Sequence, residues 1–173
     1  MDHNLRTLLE HKGLLHDMRP AKLHELQGEI MSIFLGAPHH AARTLTEIAA
    51  LALPAIHFNQ FRIYRQGGRP VAWVSWAFMD EDECHKYVFA QADYDFAFEK
   101  WKGGEHVMFI EFIAPFGHAL KVAHDLKRNV FPGRTGFAPD LDMETGARRI
   151  RKLFGAHIEG ATSDEEAEFI NGA

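Results

Sequence analysis

Two features of this 173-residue chain stand out as able to do chemistry. The first is His39-His40, which lies in a short Gly-Ala-Pro break between two predicted helices. An imidazole there can act as a general base if a partner orients it, although either histidine is equally explained as a residue near a helix N-terminus. The second is Glu111, which interrupts the apolar run 108–113. A carboxylate in such a strand needs a partner, which is either an arginine on a neighbouring strand or a histidine that it would orient.

The chain has twelve histidines, a number that suggests metal binding until their spacing is considered. A zinc-binding helix of the H-E-x-x-H type places two histidines four residues apart. The segment starting at His24-Glu25 has glycine at the last position of that pattern, and no two histidines in the chain are four apart. We therefore predict no metal site, and we expect most of the twelve to be surface or structural residues.

Other catalytic patterns are missing from the chain. It contains neither a Gly-x-Ser-x-Gly nucleophile motif nor a phosphate-binding loop. Its single cysteine, Cys84, excludes an internal disulfide and lies in an acidic segment that disfavours a reactive thiolate.

The elements that position His40 and Glu111 follow from hydrophobic periodicity. Apolar residues at helical spacing predict helices over 21–35, over 41–53 ending before Pro54, and over 118–130. Strands are predicted over 58–64, 71–78, 107–113, 134–138 and 148–154, with a hairpin at Gly67-Gly68 and a loop or short helix over 80–87. This order predicts one α+β or α/β domain, with a central, mostly antiparallel sheet flanked by helices.

Domain boundaries follow from the same pattern. Residues 1–20 are predicted to be an N-terminal helical extension, residues 21–158 the domain itself, and residues 159–173 a frayed acidic tail.

Net charge excludes some classes of protein. The formal charge is −5 and the pI about 6.2, so a nucleic-acid-binding protein is not indicated. The N-terminus has no signal-peptide pattern, and no run of 18 apolar residues could cross a membrane. These features predict a cytoplasmic protein.

The basic residues are concentrated in one segment. Residues 121–152 hold eight Lys/Arg against four Asp/Glu, whereas the rest of the chain holds eleven against twenty. This segment is either a solvated strand face or a docking surface for an acidic partner. The candidate docking residues are Lys127, Arg128, Arg148, Arg149, Arg151 and Lys152.

Four sequence blocks resemble the RTX toxin-activating lysine acyltransferases, the hemolysin-activating proteins of Gram-negative bacteria. They are Pro38-His39-His40, the segment Leu53-Pro54-Ala55-Ile56 with Asn59-Gln60-Phe61, the strand Arg69 to Ala77, and Phe109-Ile110-Glu111-Phe112-Ile113-Ala114-Pro115-Phe116-Gly117. The blocks occur in the family's order and spacing over about residues 33–155.

The resemblance implies a GNAT-like acyltransferase fold and a reaction. Members of the family move a fatty acyl chain from acyl carrier protein to internal lysines of an RTX protoxin, with no tightly bound cofactor. The family's catalytic histidine corresponds to His40 and its catalytic aspartate to Glu111. The matching blocks, with His85-Lys86-Tyr87, imply substrate-binding roles for Tyr87, Asn59, Gln60, Ser75, Trp76, Pro115, Phe116 and Gly117.

The chain departs from the family pattern at three places. Glu111 is one methylene longer than the family's aspartate, Gly36-Ala37 replaces a serine pair, and Arg43 stands where the family often has tryptophan. The chain also lacks the R/Q-x-x-G-x-G/A loop with which GNAT enzymes hold coenzyme A, which favours acyl carrier protein as the donor.

Several alternatives stay open at this point. His40 would act either as the base that deprotonates the lysine or as the residue that is itself acylated. A protein that binds acyl carrier protein without turnover, and an acyltransferase for a small amine or a lipid precursor, are the rival functions. The oligomeric state is also open, with a homodimer as one possibility.

Overall fold

The described strands belong to one six-stranded sheet. A computed structural model describes residues 20–89, 98–141, 146–158 and 167–171. The strands lie in chain order: β1 Phe61–Gln66, β2 Arg69–Met79, β3 His106–Ile113, β4 Thr135–Leu141, β5 Arg148–Phe154 and β6 Ala167–Asn171. The pairs β1/β2, β4/β5 and β5/β6 are antiparallel, and β3/β4 is parallel. The prediction of an α+β fold with a mostly antiparallel sheet and flanking helices is confirmed.

Five α-helices accompany the sheet within the described residues: α1 Pro20–Leu35, α2 Pro38–Ala41, α3 Leu45–Phe58, α4 Glu81–Phe89 and α5 Ala119–Asp125. A 3₁₀ turn covers Phe98–Trp101, and a π-helical turn, Leu126–Val130, directly follows α5. The predicted helix over 118–130 is therefore α5 and this π turn together. The segment predicted as a loop or short helix is α4, whose first turn holds Glu81, Asp82 and Glu83, where carboxylates favour a helix.

The described chain divides into two compact units. The first comprises residues 20–75 and 111–122. Its core contains the apolar stripe of α1, namely Leu26, Ile30, Ile33 and Phe34, whose spacing places all four side chains on one helix face. Buried residues of the other elements complete this core: Ile48, Ala52, Ala55, Ile56, Ala72, Trp73, Val74 and Ile113.

Helix α3 differs from its predicted extent. The prediction placed a helix over 41–53 that ends before Pro54, whereas α3 begins at Leu45 and continues through Pro54 to Phe58. Proline removes one helical hydrogen bond and crowds the preceding turn. The helix continues because Ala55 and Ile56, which follow the proline, are buried in the core of the first unit.

The β1/β2 hairpin turns as predicted at Gly67-Gly68. Both glycines have positive φ, 56° and 79°, which suits a two-residue turn that matches strand twist. Gln66 pairs with Arg69 and Phe61 with Ser75, and the register shifts between Tyr64 and Arg65.

The second unit comprises residues 76–89, 98–110, 123–141, 146–158 and 167–171. Its core is aromatic around Phe131, whose ring centroid lies 4.9 Å from Trp76, 6.0 Å from Phe109 and 6.4 Å from Phe78. Gly155 packs so closely on Phe131 that a Cβ atom would lie 2.2 Å from its carbonyl oxygen.

The two ends of the chain are described in part. Residues 1–19 of the predicted N-terminal extension lie outside the described residues. Of the predicted acidic tail, residues 159–166, 172 and 173 also lie outside them. Residues 167–171 are not frayed but form β6, which pairs with β5 from Arg149↔Asn171 to Leu153↔Ala167.

Candidate active site

The turn that carries His40 is built from backbone hydrogen bonds. Pro38 opens α2, where its missing N–H is no loss. The carbonyl of Ala37 accepts hydrogen bonds from the N–H groups of His40 and Ala41, at 2.8 and 2.9 Å, and the Arg43 N–H donates to the His40 carbonyl at 3.1 Å. This turn places the side chains of His40 and Arg43, three residues apart, on the same side.

A capping box fixes the residue that follows Arg43. Thr44 is the N-cap of α3, its hydroxyl accepts from the Glu47 N–H at 3.3 Å, and its own N–H donates to the Glu47 carboxylate at 2.6 Å. The hydrogen bond from the Thr44 backbone N–H, followed by the one that the Thr44 hydroxyl donates to the same carboxylate at 2.8 Å, lowers the pKa of Glu47. The start of α3 is therefore well defined, and with it the backbone of Arg43.

Glu111 approaches this turn from β3. Strand alternation places it on the same face as Phe109 and Ile113, both buried, and only 6% of its side chain is exposed. A carboxylate so enclosed requires hydrogen-bonding or cationic partners.

Both partners that the sequence left open for Glu111 are present. The Arg43 guanidinium donates through Nη1 to Oε1 of Glu111. The other oxygen, Oε2, lies 3.4 Å from His40 Nε2. The arginine comes from the turn after α2, not from a neighbouring strand. We call His40, Arg43 and Glu111 the carboxylate cluster.

This geometry assigns different tasks to the two imidazole nitrogens. A carboxylate only accepts hydrogen bonds, so we assign a neutral His40 the tautomer that suits this arrangement, with the proton on Nε2 and the lone pair on Nδ1. Nδ1 is buried, and no hydrogen-bond partner for it exists among the described residues. In that tautomer, Nδ1 is the nitrogen that can take a proton.

Phe34 supports the cluster from the core. Its ring meets the His40 ring edge to face, with centroids 5.8 Å apart, and the Arg43 guanidinium carbon lies 6.0 Å from the Phe34 centroid. Because Phe34 is fully buried in α1, it restricts both side chains.

The turn after β3 packs against the connector that leads to His40. Half of the Phe116 side chain is exposed, and its Cζ would lie 2.8 Å from a Cβ atom at Gly36. Gly117 has a φ of 78°, which favours glycine. The structure thus brings Pro115-Phe116-Gly117, predicted to bind substrate, to the α1–α2 connector.

The other predicted substrate-binding residues have varied settings. Asn59 adopts the left-handed conformation and caps the C-terminus of α3, which explains it structurally. Gln60 and Ser75 are buried in the first unit, and no hydrogen-bond partner of Ser75 Oγ lies among the described residues. In the second unit Trp76 is buried against Phe131 and Tyr87 is half-buried in α4.

The predicted docking residues do not form one strand face. Along β5, Arg148 and Lys152 point to the face of Ile150, whereas Arg149 and Arg151 point to the opposite face. Lys152 pairs with Glu81 at 3.3 Å, and Arg151 with Asp140 at 3.6 Å. Lys127 and Arg128 lie in the π turn. Arg128 and Arg148 are exposed, and the other four are half-buried.

Sequence reasoning missed Arg43 as a member of the cluster. A signal was available, because an arginine three residues after a candidate base shares its side of a turn. Cys84 is fully buried, and desolvation, with Asp80 and the other acidic neighbours, raises the pKa of its thiol to about 12, so it is no nucleophile.

Among residues 20–89, 98–141, 146–158 and 167–171, no group of three His, Cys, Asp or Glu side chains could hold a metal ion. Within the described part of the chain, none of the helices has the length and apolar character that a membrane span requires.

Comparison with known proteins identifies the family. Residues 19–153 match the model of the RTX toxin acyltransferase family. The lysine-acyltransferase RtxC of Vibrio cholerae is 35% identical over 115 residues, 64% of this chain and 72% of that protein. An uncharacterised protein of Synechocystis is 35% identical over 122 residues, 69% and 82%. The protein-lysine myristoyltransferase HlyC of Escherichia coli is 27% identical over 135 residues, 78% and 76%. This chain is an acyltransferase and belongs to the RTX toxin acyltransferase family.

Proposed function

We propose that this protein transfers a fatty acyl chain from acyl carrier protein to the ε-amino group of internal lysines of an RTX protoxin, with His40 as the general base. The observation that carries the proposal is the asymmetry of the His40 ring, with Nε2 facing a buried carboxylate and Nδ1 without a hydrogen-bond partner among the described residues. Base catalysis needs this combination of one oriented nitrogen and one available lone pair.

A lysine side chain has an ordinary pKa of about 10.4 and attacks only when neutral, so its ammonium first releases one proton to solvent. In the proposed step the neutral amine nitrogen attacks the thioester carbonyl carbon, and Nδ1 takes one of the two protons that remain on that nitrogen. The C–S bond then breaks, and the imidazolium returns its proton to the departing thiolate. Glu111 faces Nε2–H and stabilises the imidazolium between the two transfers.

The enclosed position of Nδ1 adds a condition to this mechanism. The amine reaches Nδ1 only if a covering side chain moves when substrate binds. The alternative route, in which His40 itself receives the acyl group, makes the same demand on this nitrogen.

Replacement of His40 tests the assignment. The assay is transfer of a labelled acyl group from acyl carrier protein to an RTX protein, with the modified lysines located by mass spectrometry. We expect His40→Ala to reduce kcat by about 10²–10⁴-fold. The matched control is His39→Ala, because His39 is exposed and adjacent, and it should stay within about twofold of wild type. Equal rates for His40→Ala and wild type would contradict the proposal.

The same assay separates the rival functions. Tight binding of acyl carrier protein without turnover would support a binding protein. Transfer to a small amine but not to the RTX protein would support an acyltransferase for small amines. An acylated His40 in quenched reactions would replace the direct route with the two-step route.

The exposed Arg128 and Arg148 provide a test of the donor. Carrier proteins are acidic, and opposite charges speed encounter. We expect charge reversal at both positions to raise KM for the acyl donor by about tenfold at low salt, with kcat unchanged. Reversal of Arg62 and Arg69, which are exposed in β1 and β2, is the control, because it changes the net charge by the same amount. An equal change in KM for that control would show that net charge causes the effect and would contradict docking at Arg128 and Arg148.

A further inference from the structure

We propose that Arg43 is a positioning residue for the acyl-transfer reaction: it holds one oxygen of Glu111 so that the other faces Nε2 of His40. The inference rests on the proposed function of His40 and deepens it. Arg43 acts through Glu111 and is not assigned any contact with substrate.

The distances in the cluster show which contact positions the carboxylate. Charge-assisted hydrogen bonds between nitrogen and a carboxylate are about 2.7–2.9 Å long. The His40 Nε2–Glu111 Oε2 separation, 3.4 Å, is longer than this range, whereas Arg43 makes a direct hydrogen bond to Oε1. The hydrogen bond from Arg43 therefore fixes the position of the Glu111 carboxylate, and this position places Oε2 beside the His40 ring.

Three features fix the position of Arg43. Its N–H donates to the His40 carbonyl, the next residue is locked in the α3 capping box, and Phe34 lies beneath its guanidinium. His40 and Arg43 thus share one rigid turn, while Glu111 comes from β3, 68 residues further along the chain. A link between the turn and the strand is needed for the base and its orienter to stay aligned, and the guanidinium provides it.

The length of Glu111 makes this link necessary. A glutamate side chain has three rotatable bonds, and loss of the Oε1 contact would leave its carboxylate free to rotate away from Nε2. Misplacement of a catalytic group by about 1 Å can reduce a rate by about 10²-fold. The charge of Arg43 acts in the opposite direction, because it weakens the attraction between Glu111 and a protonated His40. Positioning and charge therefore predict opposite effects on catalysis.

The test compares Arg43→Gln and Arg43→Lys with the control Arg65→Gln. Arg65 also pairs with a glutamate, Glu29, at 2.5 and 2.7 Å, and 38% of its side chain is exposed against 32% for Arg43. The first readout is steady-state transfer. We expect Arg43→Gln to reduce kcat by about 10²-fold with KM within about twofold, and Arg43→Lys to recover kcat to within about tenfold of wild type.

The second readout needs no substrate. The ring N–H proton of His40, assigned in NMR spectra by its absence from His40→Ala, should be protected from exchange with water in the wild type. We expect Arg43→Gln to speed that exchange by at least about tenfold, because Oε2 no longer stays beside Nε2. Arg65→Gln should leave both kcat and the exchange rate unchanged.

Each other outcome overturns the inference. An Arg43→Gln enzyme that is as fast as wild type or faster, or whose His40 ring proton stays protected, excludes a positioning role. A wild-type ring proton without protection excludes it too. If the wild type transfers no acyl group, the proposed function fails, and proton exchange alone then decides the role of Arg43.

Discussion

Two Arg–Glu pairs in the first unit have the same chemistry but differ in how many carboxylate oxygens accept a hydrogen bond from the arginine. Arg65 reaches Glu29 through two nitrogens, one to each carboxylate oxygen, at 2.7 and 2.5 Å. Arg43 uses one nitrogen on one oxygen of Glu111, and the second oxygen faces His40. The Arg65–Glu29 pair links α1 to β1, and both carboxylate oxygens accept hydrogen bonds from the arginine. In the Arg43–Glu111 pair, the arginine contacts only Oε1, so Oε2 is left to face the imidazole. A guanidinium that binds both carboxylate oxygens makes a structural pair, whereas one that binds a single oxygen leaves the other for a catalytic contact.

The largest expected difference between the pairs concerns the carboxylates. Glu111→Gln keeps the shape of the side chain but removes the charge that orients His40 and stabilises its protonated form. We expect kcat to fall by about 10²–10⁴-fold. Glu29→Gln should leave kcat within about twofold. The comparison fails if both variants have the same rate in the acyl-transfer assay.

Stability should also distinguish the arginines. Removal of one member of a buried pair costs about 3–5 kcal/mol, and a pair at the surface contributes about 1 kcal/mol or less. Glu111 is 6% exposed and Glu29 13%, but both arginines are about one-third exposed. We expect Arg43→Gln to reduce the free energy of unfolding by about 2 kcal/mol and Arg65→Gln by about 1 kcal/mol in urea titrations. A larger loss for Arg65→Gln would reverse the ranking.

Shortening each carboxylate gives a smaller effect. Glu111→Asp keeps the charge, but its oxygens must reach both Arg43 and His40 from one methylene further away. We expect the variant to remain active, with kcat reduced by no more than about tenfold, and Glu29→Asp to be unchanged. A Glu111→Asp enzyme as inactive as Glu111→Gln would show that the cluster accepts only the longer side chain.

The smallest expected change is in the reactivity of Cys84, which reports whether the second unit stays folded in the variants. Burial and the acidic neighbours raise the pKa of this thiol to about 12, above its ordinary value, so almost no thiolate exists at pH 8. Alkylation at pH 8 should therefore be slow in the wild type and in all the Arg and Glu variants. Rapid alkylation of one variant would show that its second unit unfolds, and its loss of activity would then have that cause.

Much of the fold could be predicted because its signals are local. The Gly67-Gly68 turn, the apolar strand around Glu111 and the helix before Gly36 follow from turn chemistry and periodicity within a few residues. Predictions failed where contacts with distant parts of the chain overrode a local rule. Pro54 lies inside α3, and residues 167–171 gain strand structure from pairing with β5.

The sequence by itself determined that His40 and Glu111 are chemically unusual and that Glu111 needs a partner, because a carboxylate within an apolar strand has no other explanation. It also contained the motifs that identify the acyltransferase family. Only the tertiary structure decided that the partners are His40 and Arg43 together, since they meet Glu111 across some 70 residues of chain. Strand geometry likewise divided the basic run of β5 between two faces. The residues around Glu111 in the sequence show that its carboxylate needs a partner, but the packing of distant elements determines which residues are its partners.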